Sequence, residues 1–270
     1  METVTQNSDL MPYVDLPPRF DKPRSEGLTI VTDRAMSSTD IRGLIEVAGG
    51  VVDLAKFTDH AGIATRFRTD FFRQRNQIWR EAGVRTFPGG LPFEMALLNG
   101  RGEAYIEMVA ELGFSGVEIS ENLVEPMPLP ARQALIRRCR GLGLFVFTEL
   151  GRKMPDNPLT FEEAWEMAAG DLESGAETIS LDISDVKLLR STDPAPLHRI
   201  LEEIGRDRIV FEAGPGGFPE MAIWLVHEFG PNVNLENINP GEVILLEAIR
   251  MGINRNEGFS YFTSRGATGA

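Results

Sequence analysis

The feature that most constrains this chain is a repeated alternation. Eight short runs of apolar and β-branched residues are each followed by a longer amphipathic stretch, and glycine repeatedly ends that stretch. The runs are LTIVTD (28–33), VVDLAKF (51–57), VRTFP (84–88), SGVEIS (115–120), LFVFTEL (144–150), ETISLDI (177–183), RIVFEA (208–213) and NVNLEN (232–237). Eight strand–helix units in one chain of 270 residues predict an α/β fold, a single (β/α)8 TIM barrel with a short N-terminal arm. An open doubly wound sheet is the alternative, but that fold usually carries a glycine fingerprint after its first strand, and here the turn reads TDRAMSS. The expected limits are an extended proline-rich arm over 1–26, the barrel over 27–255 and a tail over 256–270.

Charge narrows the partners. A net charge of −13 with no lysine or arginine run opposes nucleic acid. No apolar run approaches the roughly 18 residues that a membrane span needs, and no targeting pattern opens the chain, so the expectation is a soluble, cytoplasmic protein. Cys139 is the single cysteine and sits in a helical pattern, LIRRCRGLG, where packing is its expected role.

In a barrel the C-terminal strand ends converge on one mouth. Those ends carry Asp33 and Arg34, Lys56, Glu118, Glu149, Asp182 and Asp185, Glu212, and Asn234 and Glu236. Any one acid there could be a salt-bridge partner of Arg34, Lys56 or Lys153. The set as a whole outnumbers the bases, and a convergent oxygen-rich site suits Mg²⁺. Glu118, Glu149, Asp182 and Glu212 are the candidate ligands. The stretch FTELGRK brings Glu149, Arg152 and Lys153 to the same mouth across a glycine, and Lys153 and Lys56 are the candidate acid–base groups. Two glycine turns, at Gly89 and Gly90 and at Gly214, Gly216 and Gly217, are candidate anion cradles. His60 follows the second strand and could touch substrate, whereas His198 and His227 fall on outer helices.

The ordered segments KPRSEGLTIVTDRAMS, VVDLAKF, FPGGLPFE, LGFSGVEIS, FTELGRK, IVFEAG and FGPNVNLENI resemble the phosphosulfolactate synthase family from about residue 22 to about 252. The resemblance implies a Mg²⁺-dependent barrel that adds sulfite to phosphoenolpyruvate, giving 2-phospho-3-sulfolactate on a route to coenzyme M, and assembly into homo-oligomers. It implies Lys153 as proton donor, Arg152 as anion clamp, and Glu118 and Glu149 among the metal ligands. Three positions depart from the pattern. Arg34 replaces a lysine, TDHAGIATRF replaces a small glycine-rich loop, and DISDVK puts Ser184 where the family has arginine. That last segment looks like the related plant heat-stress-associated proteins; Arg66, Arg68 and Lys187 are candidates to supply the missing cation. The alternatives are a barrel that adds another nucleophile to an enolpyruvyl substrate, a non-catalytic barrel that binds a protein, and a Schiff-base aldolase using Lys56.

Overall fold

The computed structural model describes residues 4–5, 13–58, 66 and 68–266. Its eight barrel strands are β1 Thr29–Asp33, β2 Leu54–Phe57, β3 Arg85–Pro88, β4 Gly116–Ile119, β5 Phe145–Leu150, β6 Thr178–Leu181, β7 Ile209–Glu212 and β8 Leu235–Ile238. All pair in parallel, in the order β3-β2-β1-β8-β7-β6-β5-β4. No ladder joins β3 to β4 among the described residues. That wall is held by the Ser115 N–H donating to Thr86 O at 2.8 Å, with the Ser115 hydroxyl accepting from Thr86 N at 3.2 Å.

The alternation of each strand decides what enters the bore. Along Leu54–Phe57, Leu54 turns inward while Ala55 and Phe57 pack against the helical layer. Period-two geometry then leaves Lys56 pointing inward. The floor of the bore is apolar: Leu28, Ile30, Leu54, Phe87, Phe145, Phe147 and Val210 form one cluster, with Phe87 stacked on Phe147 at 4.7 Å between centroids. Full burial of such a side chain is worth about 2 kcal/mol. The helices outside are set by local signals as well as burial. Ser37 with Asp40 and Thr160 with Glu163 form reciprocal capping boxes on the helices Ser38–Ala48 and Phe161–Glu173. No helix among the described residues is long and apolar enough to cross a membrane.

The end opposite the mouth is closed by the N-terminal segment. Arg19, next to Phe20 in a small antiparallel ribbon with Val4–Thr5, lies outside the barrel sheet. Its guanidinium donates to both Glu247 oxygens, to Asn232 Oδ1 and to Gly27 O. Gly27 has φ +73°, and a Cβ there would sit 2.1 Å from Arg19 Nη1, so the closure requires glycine.

Two expected mouth residues face elsewhere. Asn234 precedes β8 rather than lying within it. At the closed end of the barrel its amide accepts from Leu28 N and donates to the carbonyls of Ser25, Arg206 and Ile209, taking over pairings that a longer strand would have made. Asp33 turns outward to Arg75 and to Trp79 Nε1 at 3.0 Å, because its neighbour Thr32 holds the inward position. Cys139 is fully buried, and burial pushes its thiol up to about 12, as expected of a packing residue.

Candidate active site

Above the apolar floor the bore becomes ionic. Lys56 Nζ lies 2.8 Å from Glu118 Oε2 and 2.9 Å from Glu236 Oε2, with Glu212 Oε1 at 3.9 Å. The hydroxyl of Ser180 donates to the other Glu236 oxygen. One layer nearer solvent, Lys153 Nζ contacts Asp182 Oδ2, lies 3.1 Å from Glu149 Oε1, and is 3.7 Å from Glu212 Oε1. Glu212 therefore bridges the layers. Its Oε2 also accepts from Ile183 N at 3.1 Å, and its Oε1 from Asn237 Nδ2 at 2.7 Å.

The turn between Glu149 and the two bases explains its glycine. Gly151 has φ +100°, and a Cβ there would lie 2.3 Å from Asp185 Oδ2. Asp185 is the staple of this turn, accepting from Arg152 N at 2.8 Å and Leu159 N at 3.2 Å. Arg152 Nη1 donates to the carbonyls of Glu121 and Val124, each at 3.0 Å, so its guanidinium straps this loop to the one after β4. Ser184 donates its hydroxyl to Lys153 O at 2.9 Å, and its N–H to Asp182 Oδ1 at 2.7 Å, which caps the helix Ile183–Thr192.

Five buried carboxylates thus surround two ammonium groups. Burial works against the Lys56 charge, yet Glu118, Glu236, Glu212 and Glu149 outweigh it and hold its pKa well above the ordinary value. Lys153 is raised in the same way by Glu149, Glu212 and Asp182. Burial raises Glu118 well above a normal carboxyl, against the pull of Lys56, and repulsion from Glu149 and Glu236 adds to it. Burial, then Glu149, pushes Glu212 up to about 8. Glu149, Asp182 and Glu212 share the one ammonium of Lys153, and one oxygen of each lies within 4.8 Å of the others. That triad could hold a metal ion, and hard oxygen ligands with uncompensated charge fit a divalent cation.

The described residues enclose a cavity of about 220 Å³ over these groups, lined by cations Arg34, Lys56 and Lys153 and by Gly89 and Gly90 at the start of the helix Gly90–Leu98. Gly90 N donates to Glu118 Oε1 at 3.1 Å, and a Cβ on Gly90 would lie 2.0 Å from Ser120 Oγ. The second glycine turn contributes Pro215 to the lining; Gly214 and Gly217 are packing positions, and Gly216 is an exposed turn position. A Cβ on Gly214 would meet Asn237 O at 2.2 Å, one on Gly217 would meet Ile183 Cδ1 at 2.7 Å, and Gly216 has φ +73°. Arg66, Arg68 and Lys187 are exposed and do not line the cavity. His60 lies outside the described residues; His198 and His227 face Glu228 and Glu257 on the outer layer.

Sequence reasoning missed Glu94 and Asn237, both buried and both lining the cavity. Glu94 accepts from Ser120 Oγ, from Asn122 N at 3.1 Å and from Leu123 N at 2.8 Å, fixing the loop after β4. The signal was a lone acid inside the apolar helix GLPFEMALL.

Comparison with known proteins agrees with this geometry. Residues 17–256 match the family model described as (2R)-phospho-3-sulfolactate synthase (ComA). A phosphosulfolactate synthase from Methanothermobacter thermautotrophicus is 31% identical over 248 residues, covering 88% of this chain and 93% of the relative. The Arabidopsis thaliana protein HEAT-STRESS-ASSOCIATED 32 is 26% identical over 260 residues, covering 86% of this chain and 88% of that one. Among solved structures, 3-hexulose-6-phosphate synthase from Salmonella typhimurium superposes with a TM-score of 0.54 at 10% identity, over 84% of this chain and 100% of that one, a likeness of fold alone. The family model spans the whole barrel, every strand end that builds the site included, and the chain belongs to the phosphosulfolactate synthase family.

Proposed function

We propose that the protein adds sulfite to phosphoenolpyruvate to give 2-phospho-3-sulfolactate, with Mg²⁺ held by Glu149, Asp182 and Glu212, as a cytoplasmic homo-oligomer serving a coenzyme M or sulfolactate route. The observation that carries this reading is the buried acidic triad against Lys153 in a chain of this family. In the reaction, the sulfite sulfur forms a bond to the methylene carbon, the double-bond electrons move onto the neighbouring carbon and its carboxylate, and that carbon then takes a proton. The cation, when bound, supplies charge against the developing dianion.

The protein's own groups divide the remaining work. Arg34 receives phosphate on the side of the mouth away from the triad, where Gly89 and Gly90 line the cavity with their own N–H groups given to Phe57 O and Glu118 Oε1. Lys153 is the proton donor. Its pKa is high because three carboxylates face it, and engaging them elsewhere returns it toward a value at which it can release a proton. Lys56, clamped between Glu118 and Glu236, remains an ammonium ion at the floor, which opposes the neutral amine that a Schiff base requires. Glu118 tunes Lys56 rather than joining the triad.

One observation favours a second reading, the same barrel with another nucleophile. Ser184 adds no cation from β6, so sulfite must share Arg34, Lys56 and Lys153 with the phosphate. A single assay separates the two: phosphoenolpyruvate loss and product mass, with and without sulfite and Mg²⁺. Sulfite- and Mg²⁺-dependent loss, a product mass equal to the sum of both substrates, and at least a hundredfold fall (~10² or more) in Lys153→Ala are expected. Protection of the protein by phosphoenolpyruvate against heat without any sulfite-dependent loss would move the assignment to the second reading. Normal turnover in Lys153→Ala would remove that lysine from the chemistry.

A further inference from the structure

Strand β8 breaks the alternation that every other barrel strand keeps. Its register against β1 runs from Leu235 opposite Thr29 to Ile238 opposite Val31, three steps on one strand against two on the other, which is a β-bulge. Inside the bulge Asn237 adopts φ +60°, a left-handed conformation that asparagine tolerates better than most residues. In a regular strand Glu236 and Asn237 would face opposite sides. Here both face the site: Glu236 reaches Lys56, and Asn237 lines the cavity with Nδ2 on Glu212 Oε1 at 2.7 Å. The neighbouring turn makes room for the bulge, since Gly214 lies where a Cβ would strike Asn237 O.

The amide is half used. Asn237 is 6% exposed, and its Oδ1 is buried with no hydrogen-bond partner among the described residues. An orphaned buried acceptor is costly, and one carried by a left-handed residue in the lining of a cavity is a functional signal. The bond from Nδ2 to Glu212 fixes the plane of the carboxamide beside the acidic triad, and leaves Oδ1 at its other corner without a partner among the described residues. We infer that Asn237 Oδ1 is a further, neutral oxygen ligand for the divalent cation held by Glu149, Asp182 and Glu212. The inference rests on the cation reading given above and extends it to a residue outside the acids. A neutral fourth oxygen adds coordination without deepening the negative charge that already burdens Glu212.

The test is Mn²⁺ binding, read by the loss of the free-ion electron paramagnetic resonance signal, on the wild type, Asn237→Gly, Asn237→Asp and Glu212→Gln. Glycine relaxes the left-handed backbone, so Asn237→Gly removes the side chain without adding strain, and its thermal midpoint verifies folding. Asn237→Asp keeps an oxygen at the ligand position but deletes the donor to Glu212. The expected result is Mn²⁺ affinity weakened about tenfold or more in Asn237→Gly and held within about threefold in Asn237→Asp. Wild-type affinity in a folded Asn237→Gly protein would overturn the assignment. Equal losses in the glycine and aspartate variants would also overturn it, showing that Asn237 acts only by orienting Glu212. If neither the wild type nor Glu212→Gln binds Mn²⁺, the cation reading itself fails, and this inference fails with it.

Discussion

At the scale of single residues, the site is a problem in charge that the protein alone leaves unbalanced. Glu212 shows it most clearly, because burial and Glu149 push its pKa from 4.5 to about 8. A carboxyl that binds its proton more tightly in the folded state stabilises the fold below the unfolded value and loses that contribution as pH rises through the folded one. The thermal midpoint of the metal-free protein is therefore expected to fall between pH 5 and 8 at the Glu212 site, and a Glu212→Gln protein should show a flatter profile over that window. Scanning calorimetry across pH in the presence of a chelator measures both. Lys56 was legible in the sequence because a charged residue at the inward position of LAKF has few reasons to be there. Asn237 was not legible, since a bulge shifts one residue from outside to inside and leaves no mark on hydrophobic periodicity.

At the scale of elements, the loops hold one another through carboxylates. Glu94 gathers Ser120, Asn122 and Leu123; Asp185 gathers Arg152 and Leu159; Arg152 returns to Glu121 and Val124. Glu94→Ala leaves the buried Asn122 N–H, the buried Ser120 hydroxyl and the part-buried Leu123 N–H without their acceptor and is expected to cost about 2–3 kcal/mol, with Glu94→Gln losing less. Chemical denaturation curves of the two variants check the order. The strand–helix alternation that exposed all eight units in the sequence says nothing about these loop staples, because each joins residues from different units. Asn234 shows the same limit in reverse: NVNLEN reads as one continuous strand, but tertiary pairings at the closed end claim its first three residues.

At the scale of the whole molecule, stability and chemistry occupy opposite ends of the barrel. Arg19 is buried against Glu247, far from the mouth, and Arg250 lies 3.6 Å from the same carboxylate. Arg19→Ala breaks a buried pair and is expected to cost about 3 kcal/mol, lowering the thermal midpoint by roughly 6–10 °C. Mn²⁺ affinity should be unchanged, and a parallel loss of affinity would show that the two ends are coupled.

The wall between β3 and β4 gives the barrel the mechanics of a split ring. Seven parallel ladders make the rest of the circumference a continuous arc, while the gap is bridged by the Ser115–Thr86 pair and, above it, by Glu118 of β4 reaching Gly90 and by Glu94, on the helix that follows β3, reaching Ser120. A split ring takes up elastic strain at its gap. The acids of β5, β6 and β7 ride together on one limb, while Lys56 and the Gly89–Gly90 turn ride on the other, so any widening of the ring changes the spacing between the two halves of the site while sparing the geometry of the triad.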